Sequence, residues 1–169
     1  MRANEFLIED NTVVTARPSQ LSPQQLNDVS NLILQGGEVM PNTLAAGLQR
    51  AYLIGYATNE QGEIVAVSAL KTPLDSYKTK VFAAAGHPEL ANQYRHERGL
   101  SYTNPDYRRQ GLNRAIWEKL LASAGGKMYA TTRSNNEASK NNLISQGFTQ
   151  LGEPWASARG DYTLELWVR

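Results

Sequence analysis

Residues 97–121 read E-R-G-L-S-Y-T-N-P-D-Y-R-R-Q-G-L-N-R-A-I-W-E-K-L-L. An extended run ends at Asn104-Pro105, the basic turn Y-R-R-Q-G (residues 107–111) follows, and an amphipathic helix begins at once. A strand that leads through such a turn into a helix points free backbone N–H groups, the positive end of the helix dipole and two guanidinium groups at one place. The segment therefore predicts an anion site, most naturally for a phosphate or a pyrophosphate.

Outward from this segment, the pattern alternates between strand-like and helix-like stretches. Ser22-Pro23-Gln24-Gln25 is a capping box, and it predicts a helix that Gly36-Gly37 ends. We predict strands over residues 12–17, 52–57, 64–70, 98–103, 128–132, 148–151 and 162–168, further helices after Pro41 and over 112–122 and 136–146, a short strand over 80–84, and a helical turn at 87–91. This order lacks strict strand–helix alternation, so it favours an α+β class with a mixed sheet over a doubly wound fold.

The bulk composition limits the classes of function. The 169 residues contain no repeat or linker, so we expect a single domain over residues 1–169. A net charge of +1 predicts no nucleic-acid or membrane partner. Without cysteine, and with two histidines, the chain offers no disulfide, no thiolate nucleophile and no metal site. The first ten residues lack the apolar core of a signal peptide, and no apolar run could span a bilayer, so we expect a cytoplasmic location.

Two motifs together resemble the GNAT superfamily of acyl-CoA-dependent N-acetyltransferases. The core motif of that family, V-x-P-x-Y-R-G-x-G-[IL]-G/A, is matched by T-N-P-D-Y-R-R-Q-G-L-N at residues 103–113. The second motif, N-x(6)-Y-x(3)-G-F, is matched by Asn136, Leu143 and Gly147-Phe148. The resemblance implies the GNAT fold, a three-layer α/β/α arrangement with a mixed, mostly antiparallel sheet of about six to seven strands flanked by about four helices.

The resemblance also implies an activity and a cosubstrate site. The protein would be an acyltransferase that moves an acetyl group from acetyl-CoA to a primary amine by direct attack in a ternary complex. We expect the acceptor to be a small molecule or an amino-acid-like compound. The family's pyrophosphate loop maps onto Arg108, Arg109, Gln110, Gly111, Leu112, Asn113 and Arg114, and the strand that pairs with pantetheine onto Ser101, Tyr102 and Thr103. The Ser101 amide would polarise the thioester carbonyl, and Asn136 would contact the pantetheine or the nucleotide.

Two positions depart from the family pattern. Asn113 replaces a glycine or alanine, which implies a tighter fit around the phosphate, and Leu143 replaces the tyrosine that commonly protonates the departing thiolate. Leucine donates no proton, so Leu143 favours an alternative function, a non-catalytic acyl-CoA-binding or sensing module on the same fold. A second alternative is a binder of a different phosphate ligand that shares only the loop. The exposed strand edges of the family fold also allow a homodimer.

Glu97, at the start of the strand that leads to the basic turn, is the candidate catalytic base. By resemblance it matches a strand glutamate that serves as base in some members of the family. An ammonium group has a pKa near 10, so acetylation of an amine requires removal of a proton, directly by a carboxylate or through a water. The alternative role for Glu97 is a salt bridge to Arg95 or Arg98.

Overall fold

The computed structural model describes residues 12–169. The expectation that the chain has no signal peptide concerns the first ten residues, which lie outside the described range. The strands are β1 (Thr12–Ala16), β2 (Leu53–Thr58), β3 (Ile64–Lys71), β4 (His96–Thr103), β5 (Met128–Arg133), β6 (Thr149–Ala156) and β7 (Thr163–Val168). The α-helices are α1 (Pro23–Leu34), α2 (Pro41–Gln49), α3 (Asp75–Ala84), α4 (Leu112–Ser123) and α5 (Glu137–Ser145). Short 3-10 turns lie at Pro18–Gln20, Pro88–Gln93 and Pro105–Tyr107.

The seven strands form one mixed sheet in the order β1-β2-β3-β4-β5-β7-β6. Antiparallel pairing joins β1 to β2, β2 to β3, β5 to β7 and β7 to β6, whereas β4 and β5 run parallel. The prediction of an α+β class with a mixed, mostly antiparallel sheet is thereby confirmed, and the described residues contain five α-helices where the sequence predicted about four.

The chain divides into two compact units. The first comprises the described residues up to Lys71 together with Gly99–Gly125. In this unit Ile54 belongs to the core cluster that includes α1 and α2, whereas a Cβ at Gly55 would lie 2.5 Å from Cγ2 of Ile116 in α4. Neighbouring residues of a strand point to opposite faces of a sheet. Helices therefore cover both faces of this part of the sheet, and Gly55 is required by the close approach of α4.

The second unit comprises Thr72–Arg98 and Gly126–Arg169. Its core forms where Phe82 of α3 packs on Tyr94 and Tyr129, with ring centroids 5.2 Å apart in both pairs. The prediction of a short strand over residues 80–84 is wrong, because these residues belong to α3. Burial of Lys78, Val81, Phe82 and Ala85 recurs at helical spacing, so the aromatic core selects the helix over the local strand propensity.

The last hairpin also differs from its prediction. The sequence predicted that the strand beginning near Phe148 ends at Leu151, but β6 continues through Pro154 to Ala156. Proline donates no hydrogen bond in a sheet, and β6 tolerates it because β6 is an edge strand. The pairing with β7 shifts between Leu151 and Trp155, where Gly152 adopts a φ of 70°. This bulge carries the strand past the proline.

Candidate cosubstrate and catalytic sites

The basic turn has the backbone shape of an anion-binding loop. The side chain of Asn104 accepts a hydrogen bond from the Asp106 N–H at 3.0 Å. Asn104 thereby caps the short 3-10 turn Pro105–Tyr107, which leads into the arginines of the basic turn. Arg109 and Gly111 then adopt left-handed conformations, with φ of 63° and 75°, and α4 begins at Leu112. Left-handed residues that lead into helical ones turn successive N–H groups toward a common side. The first amides of α4 add to this group because they lack intrahelical acceptors.

Gly111 is the position at which this loop depends on glycine. Its φ of 75° is unfavourable for a residue with a Cβ, and a Cβ built there would meet no atom within 4 Å. The requirement is therefore conformational, and the space over the backbone is open. Convergent N–H groups, a helix N-terminus and open space suit the pyrophosphate of a nucleotide cosubstrate.

The two arginines of the turn differ in their surroundings. The Arg108 Nε donates to the carbonyl oxygen of Thr103 at 3.1 Å, and its guanidinium lies over the Tyr102 ring, 5.6 Å from the centroid. Arg108 thereby fastens the turn to the end of β4. Arg109 is exposed and adopts the left-handed φ of 63°.

Tyr107, at the start of the turn, is also fixed by a side-chain contact. The Nδ2 of Asn59 donates a hydrogen bond to the Tyr107 hydroxyl at 3.0 Å.

Asn113 makes a contact that the sequence did not predict. Its Nδ2 donates to the Oγ of Ser68 at 3.2 Å, and the Ser68 Oγ lies 2.8 Å from the Oγ of Ser101. Ser68 is a fully buried residue of β3, whereas Ser101 is exposed on β4. The sequence signal for Ser68 is a single hydroxyl within the apolar run I-V-A-V-S-A-L of residues 64–70. Leu100, directly before Ser101, has a φ of 53°, so the extended backbone of β4 is interrupted there.

In the second unit, Glu97 is a buried carboxylate with two tyrosines beside it. Glu97 is 3% exposed and is paired in parallel register with Tyr129, whose hydroxyl donates to Oε2 at 3.4 Å. The Tyr77 hydroxyl lies near enough to Glu97 and Thr131 for both residues to act on its pKa. Burial, followed by the charge of Glu97, raises the pKa of Tyr77 to about 12 and also raises the pKa of Tyr129. Both phenols are therefore protonated donors at neutral pH.

The neighbouring arginine serves a different partner. The Arg98 Nε donates to the Oε1 of Gln146 at 3.0 Å, and burial lowers the pKa of Arg98 to about 10. Adjacent residues of a strand point to opposite faces, so Glu97 and Arg98 lie on different sides of β4. Tyr77 and Tyr129 are functional candidates that the sequence reasoning did not connect with Glu97.

The second motif forms the start and the interior of α5. The Asn136 Oδ1 accepts from the Ser139 N–H at 3.0 Å and caps this helix, and Asn136 itself is exposed. Leu143 is fully buried. The position where the family usually carries a tyrosine is thus filled here by a core side chain.

Residues 12–169 contain neither a cluster of metal-ligating side chains nor a membrane-spanning helix. Over this part of the chain no group of three or more histidine, cysteine, aspartate or glutamate residues is arranged to hold a metal ion. None of the helices described there combines the length and the apolar character needed to cross a membrane.

Comparisons with known proteins bear on the fold and the family of this chain. No curated protein sequence matches the chain. Among solved structures, the ribosomal-protein-S18-alanine N-acetyltransferase of Escherichia coli is 18% identical, with a TM-score of 0.66 over 94% of this chain and 92% of that chain. Escherichia coli ElaA is 14% identical, with a TM-score of 0.67 over 94% and 99%. Arabidopsis thaliana NAA60, in complex with a bisubstrate analogue, is 11% identical, with a TM-score of 0.64 over 94% and 97%.

These structures share the fold of this chain. The model of the acetyltransferase (GNAT) family matches residues 39–148, which include the basic turn, Glu97 and the second motif. The match extends over more than half of the chain, and the protein belongs to the GNAT acetyltransferase family.

Proposed function

We propose that the protein is an N-acetyltransferase that moves an acetyl group from acetyl-CoA to the primary amine of a small-molecule or amino-acid-like acceptor. The observation that carries this proposal is the left-handed turn at Arg109 and Gly111, which leads into the N-terminus of α4. Acetyltransferases of this family use acetyl-CoA in general. Residues 1–169 would act as one domain in the cytoplasm, without a metal and without nucleic-acid or membrane partners, and the exposed edge strands would allow a homodimer.

In this proposal the cosubstrate is bound mainly by backbone groups. The N–H groups of residues 108–114 bind the pyrophosphate. Ser101, Tyr102 and Thr103 pair with pantetheine, and Asn136 contacts the pantetheine or the nucleotide. The restraint of Arg108 by Thr103 and Tyr102 supports a role in holding the loop. The amine attacks the thioester carbonyl carbon directly, the C–S bond breaks, and CoA leaves with the sulfur electron pair. The chain contains no cysteine that could carry a covalent acetyl group.

Glu97 is the proposed base, and Tyr77 connects it with solvent. The Glu97 carboxylate is 3% exposed, whereas Tyr77 is 43% exposed and lies near enough for the charge of Glu97 to raise its pKa. An ammonium proton can pass to the Tyr77 oxygen while the phenolic proton passes to Glu97. The raised pKa of Tyr77 supports this concerted transfer over a free phenolate.

The burial of Leu143 favours a second candidate function, acyl-CoA binding or sensing without turnover. Thermal unfolding with acetyl-CoA, CoA and ATP, together with turnover over a panel of primary amines, separates the candidates. The enzyme is stabilised by acetyl-CoA and by CoA, and it releases free thiol with at least one amine class. Stabilisation without turnover across the panel would support the sensing module. Stabilisation by ATP alone would indicate a different phosphate ligand.

A further inference from the structure

Ser68 is a buried hydroxyl within an apolar strand. Its neighbours Val67 and Ala69 are, like Ser68 itself, fully buried in β3. A buried hydroxyl costs stability unless it is hydrogen-bonded, and Ser68 has partners on two other elements, Asn113 in α4 and Ser101 in β4. Together these three side chains form a continuous polar chain, Asn113–Ser68–Ser101, that begins in the first turn of α4 and ends at an exposed residue.

The donor group of Asn113 and the buried hydrogen of Ser68 together set the direction of this chain. Its Nδ2 can only donate, so the Ser68 oxygen accepts from it at 3.2 Å. That oxygen could accept a second bond, so the direction follows from the Ser68 hydrogen, which is buried and needs an acceptor. Of its two partners only the Ser101 Oγ, 2.8 Å away, can accept it, because the Asn113 Nδ2 is a donor. Because the Ser101 oxygen accepts this bond, its own hydrogen points away from Ser68. A carboxamide does not release its proton at neutral pH, so the chain orients a dipole and does not conduct protons.

We infer that the Ser101 hydroxyl donates a hydrogen bond to the thioester carbonyl oxygen of acetyl-CoA, and that Ser68 and Asn113 are positioning residues that keep its hydrogen directed outward. This inference rests on the proposed function. The hydroxyl adds a second donor to the backbone N–H of the same residue, and two oriented donors stabilise the negative charge that develops on that oxygen. It also gives Asn113 a role at a position where the family pattern has glycine or alanine.

Infrared spectroscopy of acetyl-CoA with an isotopically labelled carbonyl tests the inference without turnover. In the wild-type complex, hydrogen bonding lowers the carbonyl stretching frequency. We expect Ser101→Ala to raise it, Ser101→Thr to retain most of the wild-type shift, and Ser68→Ala and Asn113→Ala to raise it partway. The double variant Ser68→Ala/Ser101→Ala should match Ser101→Ala, because Ser68 acts through Ser101.

Kinetics supply the second readout. Ser101→Ala should lower kcat about 10- to 100-fold while the Kd of CoA, which lacks the carbonyl, changes less than about twofold. Ser123→Ala is the matched control, since its hydroxyl bonds only to the Lys119 carbonyl at 3.0 Å within α4, and it should behave as wild type. An unchanged carbonyl frequency in Ser101→Ala would overturn the inference and leave the proposed function standing. Failure of the wild-type protein to bind acetyl-CoA would overturn both.

Discussion

The hydroxyl of Tyr129 lies 3.4 Å from the Oε2 of Glu97, at a position where β4 and β5 are in parallel register. Paired residues of neighbouring strands point to the same face of a sheet, so the two side chains meet inside the second unit. The contact fixes Glu97 as a buried carboxylate. Of the two tyrosines beside Glu97, Tyr129 is fully buried and Tyr77 is 43% exposed, so the proposed proton route passes through Tyr77.

Glu97→Gln tests the base. We expect acetyl-CoA affinity to stay near the wild-type value and turnover to fall about 10²-fold, because glutamine keeps an acceptor for the two phenols but takes up no proton. The loss should appear in kcat, with the KM for acetyl-CoA near the wild-type value. Steady-state kinetics measure both constants.

Glu165→Gln is the matched control for Glu97→Gln. Glu165 also belongs to the second unit, is 5% exposed and accepts a hydrogen bond from the Trp167 Nε1 at 3.2 Å. The substitution therefore removes a buried carboxylate that is not the proposed base. Its turnover should remain near the wild-type value. Equal turnover in Glu97→Gln and wild type would assign Glu97 a structural role.

Tyr77→Phe tests the route of the proton. The variant keeps the aromatic ring and removes the hydroxyl between Glu97 and solvent, so we expect turnover to fall about tenfold or more. In the Glu97→Gln background the same change should have little further effect, because both residues act on one proton. Independent, multiplicative losses in the double variant would separate Tyr77 from Glu97.

The raised pKa of Tyr77 predicts a loss of stability in alkali. The folded-state pKa of about 12 exceeds the ordinary value of 10.0, so folding favours the neutral phenol. This contribution is complete below pH 10.0 and is lost as the pH rises through about 12. The difference in unfolding free energy between wild type and Tyr77→Phe should therefore be constant up to pH 10.0. Above that pH the wild type should lose stability relative to the variant. Denaturant unfolding at a series of pH values measures it, and an unchanged difference would contradict the assignment.

Local signals explain which parts of the first unit could be predicted. The capping box at Ser22 is present, with its Oγ accepting from the Gln25 N–H at 3.1 Å, because all of its partners lie within one turn. The basic turn likewise depends on adjacent residues. Ser68 could not be assigned a function because its partners lie 33 and 45 positions later in the chain, and a single serine in an apolar strand has no local meaning.

Tertiary packing decided the parts that the sequence missed. Residues 80–84 form a short stretch that is compatible with a strand, yet the packing of Phe82 against Tyr94 and Tyr129 selects α3. The proximity of Tyr77 to Glu97 could not be predicted either, because Tyr77 lies on α3, the helix that the sequence did not predict.

Gly111→Glu tests the cosubstrate loop. A side chain at a φ of 75° strains the turn, and a carboxylate in the open space over the backbone repels a pyrophosphate, so acetyl-CoA should no longer raise the melting temperature. Gly126→Glu is the matched control: its φ is 96°, a Cβ there would also meet no atom within 4 Å, and it follows the other end of α4. This control should lose stability while keeping the shift. An intact shift in a folded Gly111→Glu protein would remove the loop assignment.

Leu143→Tyr restores the residue type that the family commonly uses as an acid, but here we expect it to destabilise the protein without raising turnover. Leu143 is fully buried, so the larger ring overpacks the core at a cost of about 1–3 kcal/mol, and a hydroxyl without a partner adds about 1–3 kcal/mol. Urea unfolding measures the loss. Ile144→Tyr is the control, because Ile144 is 57% exposed on the same helix and should change the free energy of unfolding by about 0.5 kcal/mol or less. A faster Leu143→Tyr enzyme of unchanged stability would show that position 143 reaches the sulfur and that departure of the thiolate limits the native rate.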